Sequence, residues 1–171
     1  MTQNGYVKLS LNNDGSGELT ARQSISRPIA DVFDFFADAT NLEALTPASL
    51  RFRIITPGPI EMRRGTTIDY RLRIHGVPTR WRSEISIWQP PYRFVDVQLR
   101  GPYRFWNHEH AFREDAAGTL ISDHVHYRAP GGRLVNRLLV ARDLEKIFRY
   151  RQARMVELLG SAYGDPSLTA R

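Results

Sequence analysis

The sequence predicts an α+β fold, an antiparallel sheet whose apolar face is covered by one long helix. Three observations predict it. Apolar residues recur with a period of two over most of residues 50–129, they recur at helical spacing over 133–159, and glycine or proline pairs punctuate these runs. A sheet with one apolar face needs a cover, and a cavity can lie between sheet and helix.

Each element follows from local pattern. Residues 6–11 alternate weakly, 12–17 form a turn cluster, and 18–25 alternate again as a strand. Pro28 then stands at the first helical position with Asp31 in the first turn. Ile29, Val32, Phe33 and Phe36 recur at helical spacing, so 28–38 is a short amphipathic helix. A second short helix at 41–45 ends before Pro47. Strands follow at 50–56, 66–75, 79–88, 92–100, 103–114 and 119–128, separated by Gly58-Pro59, Gly76-Val77, Pro90-Pro91, Gly101-Pro102 and Ala117-Gly118. A single helix over 133–159 opens after Gly131-Gly132 and closes at Gly160.

The chain has 171 residues, room for one domain with a real core and too few for two ordinary ones. No internal repeat or low-complexity tract interrupts it, and the soft ends are residues 1–5 and the stretch from Ser161. The absence of cysteine excludes disulfides, thiolate catalysis and Cys-based zinc or iron–sulfur sites. No window approaches the length of a membrane-spanning helix, and the start has no uninterrupted apolar core of the secretory kind. A soluble, cytoplasmic protein without integral membrane association is the expectation.

Lys plus Arg outnumber Asp plus Glu by 24 to 18, and the only lysines are Lys8 and Lys146. An arginine-rich chain of charge +6 suggests an anionic partner. Arg51, Arg53, Arg71, Arg73, Arg80 and Arg82 alternate with apolar residues, which places them on the outer face of the sheet. No aromatic residues interleave with them there, so nucleic acid is not expected. The favoured account is a solvated outer face on an arginine-rich protein; the same patch is the candidate dock for an acidic partner or surface, with binding that weakens steeply in salt.

Hairpin registers follow from turn lengths. A two-residue Gly76-Val77 loop sets Tyr70 opposite Ser83, Leu72 opposite Trp81 and Ile68 opposite Ile85 on one face. The other face then pairs Arg71 with Arg82 and Arg73 with Arg80, like charges whose opposition is mildly destabilising. Closing Glu114 against Thr119 sets Phe112 opposite Ile121, His110 opposite Asp123, His108 opposite Val125 and Trp106 opposite Tyr127. This more apolar set points inward, while Asn107, His126, Glu109 and His124 point out. Strand 92–100 has two readings: Val95 and Val97 inside, or, with one bulged residue, Phe94, Asp96 and Gln98 inside. On the long helix, Leu134, Ala141, Leu144, Phe148, Met155 and Leu159 form the apolar stripe. Arg137 and Arg151 fall within it, each set to reach the edge or to pair with a buried acid, Asp123 or Asp96.

The stretch ISRPIADVFDFFADATNLEALTP (25–47) resembles the opening strand and two helices of the START-like SRPBCC superfamily. Residues 76–132, with the pattern PP-rF-D-Q-GP-W-H-H-F, and IFRYR (147–151) are similar to a bacterial ligand-binding-like subfamily. That subfamily also includes domains fused to epimerase-like chains with a "cell division inhibitor" label. The resemblance covers roughly residues 19–160, leaving 1–18 as an N-terminal extension with a short strand and 161–171 as a tail. It implies a helix-grip fold, a curved antiparallel sheet wrapped around the C-terminal helix, with two short helices after the first strand and an internal hydrophobic cavity.

The inward residues Tyr70, Trp81, Trp106, Phe112, Tyr127 and Phe148, with His108, His110, Asp123 and Arg151, are therefore the candidate ligand-binding set. Bulky aromatics alone are ordinary core; two histidines, an acid and an arginine among them need partners that a ligand or water can supply. The expected function is binding, as carrier or sensor, of a hydrophobic, lipid-like or aromatic small molecule, with no cofactor. No catalytic set is firm. His110 oriented by Asp123 is the candidate proton-transfer pair of a cofactor-independent cyclase or dehydratase. His108, His110 and Asp123 also form a two-histidine-one-carboxylate set, but a cross-strand His–Asp pair is first a hydrogen-bonded couple, so no metal is expected.

Overall fold

Period-two alternation makes strands that need neighbours, and in this computed structural model, which describes residues 5–160, they all join one sheet. The strands β1 (Tyr6–Leu11) and β2 (Ser16–Ile25) precede the helices α1 (Ile29–Ala37) and α2 (Asn41–Ala44). After a 3₁₀ turn at Ala48–Leu50 come β3 (Arg53–Ile54), β4 (Thr67–Ile74) and β5 (Val77–Gln89). Then follow β6 (Arg93–Arg100), β7 (Phe105–Asp115) and β8 (Gly118–Arg128). The sheet order is β1-β2-β8-β7-β6-β5-β4-β3, antiparallel at every pairing. The chain ends in α3 (Gly132–Val135), a π-helical segment (Asn136–Val140) and α4 (Ala141–Leu159), around which the sheet curves in the expected helix-grip arrangement. The soft ends expected from sequence, apart from Gly5, lie outside the described residues.

Two apolar clusters hold the layers together. Helix α1 buries Val32, Phe33 and Phe36 against Phe94, Phe112 and Ile121 of the sheet and Met155 of α4. At the other end Leu19, Trp106, Val125 and Tyr127 meet Leu144 and Phe148 of α4. Full burial of each large apolar side chain contributes roughly 1.5–3 kcal/mol. Between these clusters the interior is open.

The β7–β8 register is the expected one throughout: His110 opposes Asp123, His108 opposes Val125 and Trp106 opposes Tyr127. The β4–β5 hairpin is not. Its two turn residues are His75 and Gly76, both at positive φ (49° and 82°), instead of Gly76 and Val77. A type I′ turn has positive φ at both central positions, and placing glycine second suits it while keeping Val77 paired with Ile74. The shift is two residues, so every side chain keeps its face but changes its partner. Tyr70 opposes Trp81, and Arg82 opposes Asp69, with which it forms a bidentate ion pair at 2.8 Å. The expected pairs Arg71–Arg82 and Arg73–Arg80 are thus corrected; Arg71 faces Arg80 and Arg73 faces Pro78.

The strand expected over 50–56 shrinks to two residues, because Arg51 takes a left-handed conformation (φ 44°) after the 3₁₀ turn. All six outer arginines are exposed, and Arg53, Arg71 and Arg80 stand in one row across β3, β4 and β5. Arg53 pairs with Glu43 and Arg82 with Asp69.

The helical stripe is also corrected at its start. Leu134 is 67% exposed and Arg137 is exposed, while Asn136 is completely buried. The π segment inserts an extra residue into the turn and rotates the preceding side chains off the α4 phase. Asn136 is held by donation from its amide to the Gly15 carbonyl (3.1 Å) and from the Tyr127 hydroxyl to its own carbonyl (2.9 Å).

Candidate ligand-binding site

A cavity of about 960 Å³ opens between the sheet, α1, α2 and α4. Its size and apolar walls suit a small organic molecule. Of the expected site residues, Tyr70, Trp81, Trp106 and Phe148 line it as apolar or amphipathic wall, and His108, His110 and Arg151 line it as polar groups. Phe112, Asp123 and Tyr127 lie behind the wall: Phe112 packs against Phe33 and Phe36, Tyr127 caps Asn136, and Asp123 sits beneath the histidines.

The open question of strand β6 is settled by its pairing. Phe94 opposes His110 and Asp96 opposes His108, which puts Phe94 and Asp96 inside, as the bulged reading required. The register of β5 against β6 shifts at Arg82/Ser83 and at Ile85/Ile87, and these irregularities supply the frame change. Gln98 shares their face of β6; instead of reaching the cavity, its side chain donates to the Tyr103 carbonyl (2.7 Å) and accepts from the Tyr103 amide (3.3 Å).

Asp96 completes a buried ring of charges. Asp123 Oδ1 lies 2.9 Å from both His108 Nε2 and His110 Nδ1, and Asp96 Oδ2 lies 3.2 Å from His110 Nε2 and 3.6 Å from His108 Nδ1. His108 Nε2–H donates to Asp123 and His110 Nε2–H donates to Asp96. The His110 Nδ1 contact is close but not aligned as a hydrogen bond, so it acts as a charge contact. The two imidazoles are 3.8 Å apart, and Phe94 stacks on His110 at 4.2 Å with only 18° between the planes. Arg151, buried on α4, lies over the Phe36 ring at 5.2 Å.

These contacts separate the protonation behaviour of four groups. Burial alone would raise the Asp123 carboxyl, but the Arg151 charge and the two histidines outweigh it and hold it well below the ordinary carboxylate range. Burial acts the same way on Asp96 and is likewise outweighed, first by the His110 hydrogen bond, so that it too is lowered. Burial and then the neighbouring His110 depress His108 to about 4. For His110 burial is overcome by its contacts with Asp123 and Asp96, and its pKa is raised. The ring therefore holds two carboxylates, one arginine, one histidine disposed to protonate and one held neutral, a balanced set of buried charges.

Chemically, both ring nitrogens of His110 face carboxylates, so a bound carbonyl or hydroxyl receives its proton only by displacing the Asp96 contact. Tyr70, Ser83 and Trp81, which also line the cavity, carry further polar groups. The Tyr70 and Ser83 hydroxyls bond to each other, and the buried Trp81 Nε1–H has no partner among the described residues. Asp96, His108 and His110 each bring one ligand atom within 4.8 Å of one another, close enough for a metal ion, but a cation there would meet the Arg151 charge already acting on both carboxylates.

Sequence reasoning did not fix Asp96, Phe94 or Ser83, the hydroxyl partner of Tyr70, as parts of the site. An acid at position 96 facing a histidine strand was the signal available for the first, since opposite charges favour facing positions.

Fold and site define a class: a helix-grip protein with an internal cavity and a buried histidine–carboxylate cluster at its wall. The chain belongs to the family described as polyketide cyclase / dehydrase and lipid transport, which matches residues 16–160. No curated protein matches it. Among solved structures it is similar to protein Ms6760 from Mycobacterium smegmatis, with 15% identity, TM-score 0.63, and 90% of this chain and 98% of that one covered. It is similar to protein CV1439 from Chromobacterium violaceum, with 12% identity, TM-score 0.67, and 84% and 97% covered. A plant protein, ginseng major latex-like protein 151 from Panax ginseng, matches with 12% identity, TM-score 0.58, and 81% and 96% covered. These likenesses show the SRPBCC/START-like fold, and binding of a ligand or lipid is its function at the level of the family.

Proposed function

We propose that the protein binds a hydrophobic, aromatic or lipid-like small molecule bearing an oxygen acceptor, as a carrier or sensor. One observation carries this reading: an apolar cavity of about 960 Å³ whose lining includes Trp81, with an indole Nε1–H that is buried and without a partner among the described residues. An orphaned buried donor is costly, roughly 1–3 kcal/mol, unless a ligand oxygen or water meets it. The finer likeness to the bacterial ligand-binding-like subfamily supports the same reading. Native mass spectrometry of the purified protein is expected to show a bound apolar molecule, and an interior that stays empty against a broad lipid and aromatic panel would overturn the proposal. Replacing Trp81→Phe keeps the ring and removes the donor. It is expected to weaken the captured ligand roughly 2- to 10-fold without loss of stability.

A second reading is favoured by the placement of His110 on the cavity wall between two carboxylates that raise its pKa. With its protonated form favoured, it suits general acid catalysis on a bound carbonyl that displaces the Asp96 contact, as in a cyclase or dehydratase, with Asp123 as its positioning residue. His110→Asn is then expected to abolish turnover of the captured molecule while leaving its binding within a few-fold. Turnover equal to that of the wild type excludes the catalytic role.

A further inference from the structure

The segment from Arg133 to Arg142 reads RLVNRLLVAR, and the structure leaves most of it uncovered. Leu134, Val135, Leu138 and Leu139 are 67%, 37%, 44% and 51% exposed, although the helix they open is otherwise buried along one side. The cause lies in the π segment. It rotates the turn until the one inward side chain is Asn136, anchored to Tyr127 and Gly15. Four large aliphatic side chains are thereby turned toward solvent in a single stretch, a cluster that marks a contact surface.

Cations border this apolar stretch. Arg133, Arg137, Arg142 and Lys146 are all exposed, and none has an acidic partner among the described residues. The two acids nearby are already engaged, Asp143 with His75 (2.7 Å) and Glu145 with Arg149 (2.8 Å). The same stretch is continuous with the cavity mouth, because Val135, Leu139, Lys146 and Tyr150 also line the cavity.

We propose that residues 133–146 dock on an anionic lipid surface, with the aliphatic side chains in the headgroup–acyl boundary and the basic side chains among the lipid headgroups. A second copy of the chain fits poorly, because a two-fold contact through this patch would set its unpaired cations against themselves. A lipid surface supplies both halves of the match, anionic charge and an apolar interior, and it abuts the opening through which an apolar ligand passes. His75, on the β4–β5 turn, reaches Asp143 across that mouth, so the docked segment and the cavity rim are tied by one hydrogen bond.

Flotation of the full chain with phosphatidylcholine vesicles, with and without phosphatidylserine, tests this without any cavity ligand, so its failure would leave the binding reading untouched. Binding is expected to the anionic vesicles alone and to fall with added salt. The double variant Arg133→Ala/Arg137→Ala is expected to lose about 30-fold in affinity, from removal of two surface-attracted charges. Leu134→Ser/Leu138→Ser, at exposed positions off the cavity wall, is expected to lose roughly tenfold or more with an unchanged melting temperature. No flotation with anionic vesicles, or flotation unaffected by either double variant, overturns the proposal. So does a concentration-dependent dimer that Leu134→Ser/Leu138→Ser dissolves while vesicle binding is absent.

Discussion

Replacing Asp123→Ala is expected to destabilise the protein by about 3–5 kcal/mol at neutral pH, as loss of one partner in a buried charge set does. Asp123 is 3% exposed and touches both imidazoles at 2.9 Å. Its removal strips the acceptor from His108 Nε2–H and leaves Arg151 and His110 facing Asp96 alone. Asp123→Asn keeps an acceptor oxygen in place and removes only the charge, so its cost is expected to be smaller, about 1–3 kcal/mol. The ordering matters as much as the size: Ala worse than Asn is expected from a charge ring with directed hydrogen bonds. Urea unfolding at pH 7 reads both values from the midpoints, with slopes unchanged. An Asp123→Ala variant within about 1 kcal/mol of wild type would mean that the ring is not closed in solution. A double variant Asp123→Leu/Arg151→Met removes opposite charges together and is expected to lose less than the sum of the single losses, because the two groups are coupled.

That Asp123 faces His110 was legible from sequence because the short Asp115–Gly118 connection leaves one register, and that register puts every bulky residue of two strands on one face. Asp96 was not fixed in the same way. The β6 strand carries apolar residues on both faces, Val95 at 2% exposure and Phe94 at 5%, so alternation alone could not choose its frame. The β5 irregularities made that choice, and nothing in the local pattern marks a bulge. The long helix failed in the same sense. A 100° projection assumes a constant turn, and the π segment changes the turn where Leu134 and Arg137 were placed inward. At the β4–β5 hairpin the faces came out right and the partners wrong, since a shift of two residues preserves the first and changes the second. What sequence periodicity conveys is which face a residue occupies; which residue it meets depends on turns and bulges, where a single φ decides.

The second large effect is a stability profile against pH whose parts belong to different members of the ring. His108 has a folded pKa of about 4 against an ordinary value of 6.5. Below pH 6.5 the unfolded chain takes up a proton that the folded protein refuses until about pH 4, so stability falls as pH falls across that window. The loss is expected to reach about 3 kcal/mol. His110 has the opposite sign. With its folded pKa raised, its contribution is fully present below 6.5 and is lost as pH rises through the folded value, so it cannot offset His108 on the acid side. The lowered carboxyls of Asp96 and Asp123 act lower still, stabilising above the ordinary carboxylate pKa and failing only as pH drops through their folded values. His108→Gln, whose amide can still donate to Asp123, is expected to flatten the profile between pH 6.5 and 4 and leave the alkaline side unchanged. His110→Gln is expected to remove the alkaline loss and to shrink the acid loss only in part, because burial, the larger cause of the His108 shift, remains. Unfolding midpoints in urea from pH 4 to 9 separate these cases. An acid arm of the same slope in His108→Gln as in wild type would show that some other group takes up the proton.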